Sequence, residues 1–205
     1  MTKNKPADED KPYASRGGLK LEHALREFGL PVEGLRCADL GASTGGFTDC
    51  LLRHGAAEVT AVETGYGVLD YRLRIDPRVV VRERTNALHA EPPEEPVDLL
   101  VVDLSWTRQA KAVPAALRWV EKSGEGRIVS LVKPHYEVTP EEETHLDRGV
   151  LPEEVAEEVH QRVLGELPQL GVDVLGSTRS PILGGKGKKR GNVEYLVLLA
   201  PARES

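Results

Sequence analysis

Two charged residues stand directly after apolar runs that are typical of buried strands. Asp103 ends "DLLVVD", and Lys133 follows "RIVSLV" and precedes Pro134. Parallel sheets hold their ligands at the carboxyl ends of their strands, so a charged residue in that position is a candidate reactive group. A neutral lysine amine can accept a proton, and a nearby carboxylate can orient it. We therefore predict acid–base chemistry at Asp103 and Lys133.

A glycine-rich loop, "GASTGG", follows the apolar run "LRCADL". Ser43 takes the place of the middle glycine of a dinucleotide-binding motif, and the loop has no Lys-Ser or Lys-Thr pair of a Walker loop. A pyrophosphate ligand is therefore disfavoured. Asp39 ends the preceding strand, and Glu63 ends the next one, where a carboxylate can accept both hydroxyls of a ribose. The pattern favours an adenosine with an amino acid tail, S-adenosylmethionine, over an incidental glycine-rich turn.

The elements that must position these residues alternate along the chain. Predicted strands cover residues 35–40, 58–62, 79–82, 99–103, 127–132, 172–178 and 193–199. Predicted helices cover residues 15–28, 46–54, 107–121 and 152–170. Nearly unbroken apolar strands that alternate with helices indicate a mostly parallel sheet covered on both faces. The last two strands are joined without a helix, so we expect an α/β fold of the Rossmann-like class I methyltransferase arrangement, with one antiparallel strand at the C-terminal hairpin.

The composition is that of a globular protein of 205 residues with a formal net charge of −6. This length suits one buried α/β core, so we expect a single domain over residues 13–200, after a polar arm over 1–12 and before a tail over 201–205. No apolar run approaches the roughly 20 residues of a membrane helix, and the first residues have no apolar core. We expect a cytoplasmic protein without membrane contact, as a monomer or a weak homodimer.

The two cysteines, Cys37 and Cys50, lie inside an apolar strand and an apolar helix of this prediction. Free cysteine commonly behaves as a small buried hydrophobe. We therefore predict core positions for both, rather than a disulfide, a metal pair or a nucleophile. The chain shows no zinc-type spacing of cysteine and histidine, so we predict no metal site.

A negative net charge is the wrong sign for a protein that its overall field holds to nucleic acid, so any polyanionic partner needs local basic patches. The segment "GGKGKKRG" supplies four cations just before Glu194, and "YRLRIDPRVVVRER" carries five arginines against two acids. The predicted substrate-binding residues are Ser15, Arg16, Lys186, Lys188, Lys189 and Arg190. Trp106 and Tyr136, just past two strand ends, could stack on a base or simply pack against the protein.

Several separated blocks resemble one family. "YASRGGLKLEHAL", "DLGASTGGFTDCLL", "VVDLSW", "LVKPHYE" and "GNVEYL" are similar to the hemolysin-A-like (TlyA-type) branch of the FtsJ-like ribose 2′-O-methyltransferases, over about residues 13–199. The resemblance implies a seven-stranded methyltransferase fold, S-adenosyl-L-methionine as methyl donor, and ribosomal RNA or a ribosomal subunit as the partner. It also implies a catalytic quartet of Lys20, Asp103, Lys133 and Glu194.

The quartet makes chemical sense for methyl transfer to a ribose hydroxyl, because that oxygen is a poor nucleophile until its proton is leaving. Burial and a second ammonium both disfavour a charged lysine. We assign Lys133 as proton acceptor and Lys20 as substrate positioner, with the two carboxylates orienting them. The predicted cofactor-binding residues are Asp39, Gly41, Ala42, Ser43, Gly45, Gly46, Phe47, Glu63, Asn86 and Asp103.

One departure from the family bears on the substrate. Members of this branch usually begin with a small RNA-binding module before the "SRGG" block, where this sequence has about a dozen polar residues. Two alternatives to RNA methylation therefore stay open: a small-molecule O-methyltransferase and a catalytically inert RNA- or ribosome-binding protein. Base methylation is disfavoured, since "DLSW" lacks the usual amine-methylation motif and neither cysteine ends a strand.

Overall fold

The computed structural model describes residues 12–185 and 191–202. Seven strands form one sheet: β1 (Arg36–Leu40), β2 (Glu58–Val62), β3 (Val79–Arg82), β4 (Leu99–Val102), β5 (Arg127–Val132), β6 (Val172–Arg179) and β7 (Tyr195–Pro201). Their order across the sheet is β3-β2-β1-β4-β5-β7-β6. Strand β7 runs antiparallel to both of its neighbours, and β1 to β5 are parallel. The predicted sheet, with one antiparallel strand at the C-terminal hairpin, is confirmed.

Helices connect most of the strands: α1 (Gly17–Phe28), α2 (Gly46–Arg53), α3 (Tyr71–Arg74), α4 (Gln109–Leu117), α5 (Pro134–Glu137), α6 (Pro140–Glu143) and α7 (Glu153–Glu166). The four longer helices match the predicted ones, with α4 shorter than expected and a 3-10 turn (Leu167–Leu170) completing the last. Helices α3, α5 and α6 were not predicted. Among the described residues, no helix combines the length and apolar character needed to cross a bilayer.

Both faces of the sheet are covered, because alternate side chains of a strand point to opposite sides. Leu21 of α1 and Leu51 of α2 belong to the core on one face. Trp119 and Val163 of α7 belong to the core on the other face. Cys37 and Cys50 are both buried and unbridged, as predicted, and burial raises the pKa of each thiol to about 12.

The topology brings distant parts of the chain to one edge of the sheet. Leu40 pairs with Val102 across β1 and β4, so these parallel strands end together. Tyr195 pairs with Val132, because β7 starts where β5 ends. The residue before β7 therefore lies at the same edge as the residues that follow the parallel strands.

Candidate active site

A cavity of about 1350 Å³ opens at this edge of the sheet. The whole predicted quartet lines it: Lys20, Asp103, Lys133 and Glu194. Most of the predicted cofactor-binding residues and two predicted substrate-binding residues line it as well: Gly41, Ala42, Ser43, Gly46, Phe47, Glu63, Asn86, Ser15 and Arg16. Asp39 and Gly45 are not among the lining residues. Side chains up to 174 positions apart in sequence thus share one cavity.

The quartet forms two ion pairs. Lys20 of α1 donates from Nζ to Glu194 Oε2, and Lys133 donates from Nζ to Asp103 Oδ1. Both lysines are buried, and a buried ammonium requires an opposite charge and hydrogen bonds. Each carboxylate supplies both, so the pairs allow two buried lysines to line one cavity.

Glu194 is held from two sides. A Cβ atom added at Gly184 would overlap Glu194 Oε1, so only glycine allows the carboxylate its place. Asn192 ties the same segment to the loop before α7: its Nδ2 donates to Gly149 O, and its Oδ1 accepts from Leu151 N, both at 2.8 Å. This brace fixes the start of β7 and with it the direction of Glu194.

The pKa of His135 is affected by the charges of both lysines. It is the second residue of α5 and lines the cavity next to Lys133. The pKa of His135 is lowered to about 4, mainly by burial and in smaller part by the charges of Lys133 and Lys20. The imidazole is therefore neutral near pH 7, and its buried Nδ1 has no hydrogen-bond partner among the described residues.

The glycine-rich loop passes close to the backbone of Asp103. Gly41 has φ of +94°, and a Cβ atom there would overlap the carbonyl oxygen of Asp103. Gly41 N and Ala42 N both donate to Val62 O at 3.0 Å, which carries the loop across the end of β2. The loop therefore runs in close contact with the backbone that follows β4, where a side chain on Gly41 would not fit.

Glu63 is fixed at the end of β2 by backbone groups. Its Oε2 accepts from Ser43 N, and its Oε1 accepts from Gly65 N, both at 2.8 Å. The carboxylate is half-buried and lines the cavity with Asn86, whose own Oδ1 accepts from Leu88 N at 3.0 Å. A pre-oriented carboxylate of this kind can accept further hydrogen bonds from a pair of hydroxyl groups.

Asp39 lies beneath the cavity and not in its lining. It is fully buried, and its Oδ2 accepts from the amide and the hydroxyl of Thr48 at 3.0 and 2.7 Å. Burial raises the pKa of Asp39 to about 7 against the opposing effect of the Thr48 hydroxyl, and the nearby charge of Asp103 adds to the increase. The residue joins the end of β1 to the first turn of α2. Its Oδ1 has no partner among the described residues.

The first described residues form a wall of the cavity. Gly46 packs so tightly on Ser15 that a Cβ atom would overlap Ser15 Oγ. Arg16 donates from its guanidinium to the carbonyl of Gly185, which joins the start of α1 to the segment before β7. The predicted substrate-binding residues Lys186, Lys188, Lys189 and Arg190 lie outside the described residues.

The arginine stripe after β2 contains several local ion pairs. Three of its five arginines form ion pairs: Arg72 with Asp70, Arg74 with Glu83, and Arg78 with Asp76. These pairs leave the surplus of arginines over acids that the sequence shows, so local contact with RNA stays a prediction. Two aromatic rings flank the mouth of the cavity instead: Trp106 is 82% exposed, and its ring centroid lies 6.4 Å from that of Tyr136.

Sequence reasoning missed several lining residues. Besides Asn192, they include Thr64, Thr85, Leu104, Ser105, Leu146 and Gly149. Asn192 had a readable signal, because an asparagine after a glycine and just before a strand is a frequent hydrogen-bonding residue of loops. Leu146 and Gly149 belong to the acidic segment before α7 and reach the cavity only through tertiary packing.

The chain matches the profile of the FtsJ-like methyltransferases over residues 13–200. It is 42% identical over 200 residues to the 16S/23S rRNA (cytidine-2′-O)-methyltransferase TlyA of Mycobacterium tuberculosis, covering 94% of this chain and 70% of the relative. It is 38% identical to Hemolysin A of Brachyspira hyodysenteriae, covering 90% of this chain and 75% of the relative. It thus spans about 70% of the length of these relatives.

Solved structures agree with the fold. A hemolysin-like protein of Streptococcus thermophilus superimposes with a TM-score of 0.85 at 38% identity, over 95% of this chain and 69% of that one. TYW2 of M. jannaschii, solved with AdoMet, superimposes with a TM-score of 0.53 at 16% identity, over 91% of this chain and 75% of that one. The second likeness concerns the fold alone.

Proposed function

The chain belongs to the FtsJ-like methyltransferase family, and from that premise we propose that it transfers a methyl group from S-adenosylmethionine to a ribose 2′-hydroxyl of ribosomal RNA. The observation that carries the proposal is the convergence of Lys20, Lys133 and their two carboxylates at one end of a large cavity. The relative TlyA of Mycobacterium tuberculosis is named for cytidine 2′-O-methylation of 16S and 23S rRNA, so a cytidine is the proposed target.

The glycine-loop end of the cavity fits the methyl donor. Glu63 is already oriented to accept the two ribose hydroxyls, and Asn86 lies beside it for the adenine side. We assign the amino acid tail to the backbone of the glycine-rich loop, whose Gly41, Ala42 and Ser43 line the cavity. Asp39 acts from below by holding Thr48 and the start of α2. S-adenosylmethionine supplies an electrophilic methyl group on a sulfonium when it is bound.

The lysine end of the cavity supplies the proton chemistry. In this proposal Lys133, which is ion-paired with Asp103, first releases a proton to solvent. A ribose 2′-hydroxyl beside it then loses its proton to the neutral amine as its oxygen attacks the methyl carbon. The carbon–sulfur bond breaks, its electron pair stays on sulfur, and the products are a 2′-O-methyl ribose and S-adenosylhomocysteine. Asp103 orients Lys133, and Lys20 with Glu194 positions the ribose.

The size of the cavity supports two ligands at once. A volume of about 1350 Å³ exceeds the roughly 300–1,000 Å³ of a pocket for one small ligand. When a nucleotide of the RNA enters the cavity, its ribose lies at Lys133 and its base stays away from the reacting atoms. Trp106 and Tyr136 offer rings for that base at the mouth of the cavity. The substrate places the reaction in the cytoplasm.

The decisive experiment offers the purified chain radiolabelled S-adenosylmethionine together with intact ribosomal subunits, protein-free 16S and 23S rRNA, or a small-molecule extract. We expect label in RNA at a nucleotide that resists alkaline cleavage, because 2′-O-methylation blocks attack by that oxygen. Label only in the extract would establish a small-molecule methyltransferase. Donor binding without labelling of any fraction would favour the inert binding protein.

A change at Glu63 tests the donor end on its own. We expect Glu63→Ala to weaken S-adenosylmethionine binding about tenfold to a hundredfold, the usual loss for a hydrogen bond to a charged group. Calorimetric titration measures it. Glu63→Gln keeps an acceptor oxygen and should lose less, whereas unchanged affinity in Glu63→Ala would contradict the ribose contact.

A further inference from the structure

Large apolar side chains are exposed mainly at one edge of the sheet. Five of them are between 38% and 72% exposed and lie in β3, in α3 or in the loops on either side of α3: Tyr66, Val68, Tyr71, Ile75 and Val80. Monomeric proteins seldom leave such clusters open to water without a use for them. We call this set the β3-edge patch.

Tyr66 is the centre of the patch in chemical terms. Its ring is 69% exposed, and the guanidinium of Arg84 lies 4.2 Å from the ring centroid, with that of Arg74 at 5.9 Å. Arg74 also pairs with Glu83, whereas no ion pair to Arg84 is present among the described residues. Arg84 holds a φ of +53°, a conformation that a bulky side chain seldom adopts.

The loop that carries Tyr66 is rigidly held. The buried carboxylate of Glu83 accepts from Gly67 N at 2.9 Å and from Val68 N at 3.1 Å, and also binds the guanidinium of Arg74. The Gly67 hydrogen bond is the main reason that the pKa of Glu83 lies below its usual range. Tyr66 and Arg84 are therefore pre-organised before any partner binds, which reduces the entropy cost of binding.

The charge around the patch favours a polyanion. Residues 70–84 contain five arginines and three acids, a cationic surplus in a chain with a net charge of −6. A cleft of about 230 Å³ beside α3 is lined by Arg53, Arg72 and Arg78 together with Asp49 and Asp76, so it adds only a small cationic surplus. The patch continues into the active-site cavity, since Thr64 and Thr85 belong to its lining.

We propose that Tyr66 and Arg84 form a stacking platform for an unpaired base of the RNA substrate, outside the nucleotide that is methylated. The base stacks on the exposed ring of Tyr66, and the Arg84 guanidinium contacts the adjoining phosphate. Aromatic rings with arginines are the usual means of holding single-stranded RNA. This inference rests on the proposed function, because it requires RNA to cross the cavity.

The first test measures binding of a fluorescein-labelled twelve-nucleotide oligocytidylate RNA to the full chain by anisotropy. We expect Tyr66→Ala to weaken binding about tenfold, and Tyr66→Phe to leave it within about twofold, because stacking needs the ring alone. Arg84→Gly keeps the backbone conformation without strain. It should weaken binding and reduce the slope of log affinity against log salt by about 0.7.

Controls separate RNA stacking from other uses of the patch. Leu175→Ala lies on β6, at the opposite edge of the sheet, and should change nothing. An equal loss in Ile75→Ala would indicate an apolar protein-docking surface and overturn the platform. So would a dimer in sedimentation that Tyr66→Ala dissociates, or an equal loss of S-adenosylmethionine affinity in Tyr66→Ala.

Methylation kinetics distinguish failure of the platform from failure of the proposed function. With protein-free rRNA, Tyr66→Ala should raise KM about tenfold with kcat within about twofold. Unchanged KM in an active enzyme overturns the platform and leaves the function standing. If the wild type methylates no RNA, the function fails, and a selective loss of oligonucleotide binding in Tyr66→Ala still supports the platform.

Discussion

The two lysine–carboxylate pairs of the cavity differ in how their carboxylates are held. The lysine side chains are equally covered, at 11% exposure each, but the Glu194 side chain is 4% exposed and that of Asp103 is 27% exposed. Glu194 packs against Gly184 and follows the brace at Asn192. Asp103 lies at the end of β4 and faces the open cavity. We call the Lys20–Glu194 pair the clamp and the Lys133–Asp103 pair the open pair, and we propose that Lys133 exchanges its carboxylate for a substrate hydroxyl.

The difference teaches that similar side chains can divide the work of one site. A charge pair that is closed to solvent on both sides stabilises geometry and is costly to break. A pair that is open on its carboxylate side loses less when a ligand intervenes. Changes to the Lys20–Glu194 pair should therefore mainly lower stability, and changes to the Lys133–Asp103 pair should mainly lower turnover.

The largest expected effect is on turnover at Lys133. Lys133→Ala should reduce the rate of methyl transfer about a thousandfold, or about 4 kcal/mol, because the proton acceptor is lost. S-adenosylmethionine affinity should stay within a few fold by calorimetry. Lys133→Arg keeps a cation beside Asp103 that cannot deprotonate, so the same loss is expected. Turnover in the arginine variant would refute the assignment of Lys133 as base.

The next effect is on stability at Lys20. Lys20→Met leaves the buried Glu194 carboxylate without its partner, and should lower the free energy of unfolding by about 3 kcal/mol in urea denaturation at pH 7. Lys133→Met should cost less, since Asp103 is closer to water. Adding Glu194→Gln to Lys20→Met should restore part of the stability without restoring activity. Equal losses for the two lysines would remove the distinction between clamp and open pair.

The titration of the buried Asp39 should have a smaller effect on the free energy of unfolding. The pKa of Asp39 is about 7, above its ordinary value, so the folded state holds a proton that the unfolded state releases near pH 4. The free energy of unfolding should therefore fall as pH rises through this range. Asp39→Asn does not titrate, and its stability relative to wild type should rise by about 2 kcal/mol between pH 5 and pH 7. A difference that stays constant with pH would show that Asp39 is not protonated in the fold.

The smallest expected effect concerns Asn192, whose hydrogen bonds hold the segment that carries Glu194. Asn192→Ala loses the hydrogen bonds to Gly149 and Leu151, and should reduce kcat about tenfold through a less well oriented Glu194. The donor affinity should not change. Asn192→Asp keeps the acceptor for Leu151 N and should retain more activity. If alanine and aspartate variants both turn over at the wild-type rate, the brace has no part in positioning Glu194.

The open pair was predictable from local sequence, and the clamp was not. Asp103 and Lys133 follow apolar strands, and the edge where parallel strands end is a general ligand site. Lys20 and Glu194 were predicted only from the family resemblance. No local sequence signal indicates that α1 packs across α2 or that β7 lies between β5 and β6. Side-chain burial at Asp39 was equally invisible, since a strand-end carboxylate can face either the ligand or the neighbouring helix.

Strand positions were predicted to within about two residues, because buried strands appear in the sequence as nearly unbroken apolar runs. The predicted last strand, 193–199, is β7 at Tyr195–Pro201 in the structure, displaced because Glu194 turns into the cavity. The four-residue helices were missed, since their stability depends on tertiary contacts and caps. Helix α6 had one local signal: Thr139, Pro140 and Glu142 form a capping box with proline at the first turn.

The place of β7 between β5 and β6 has a consequence for synthesis of the protein. Because β7 follows β6 in sequence but lies between β5 and β6, β5 has an unpaired apolar edge until β7 has been synthesised. The nascent chain must stay guarded against aggregation during that interval. Premature termination before residue 194 would remove both Glu194 and β7, so the polypeptide would have neither a closed sheet nor the complete quartet.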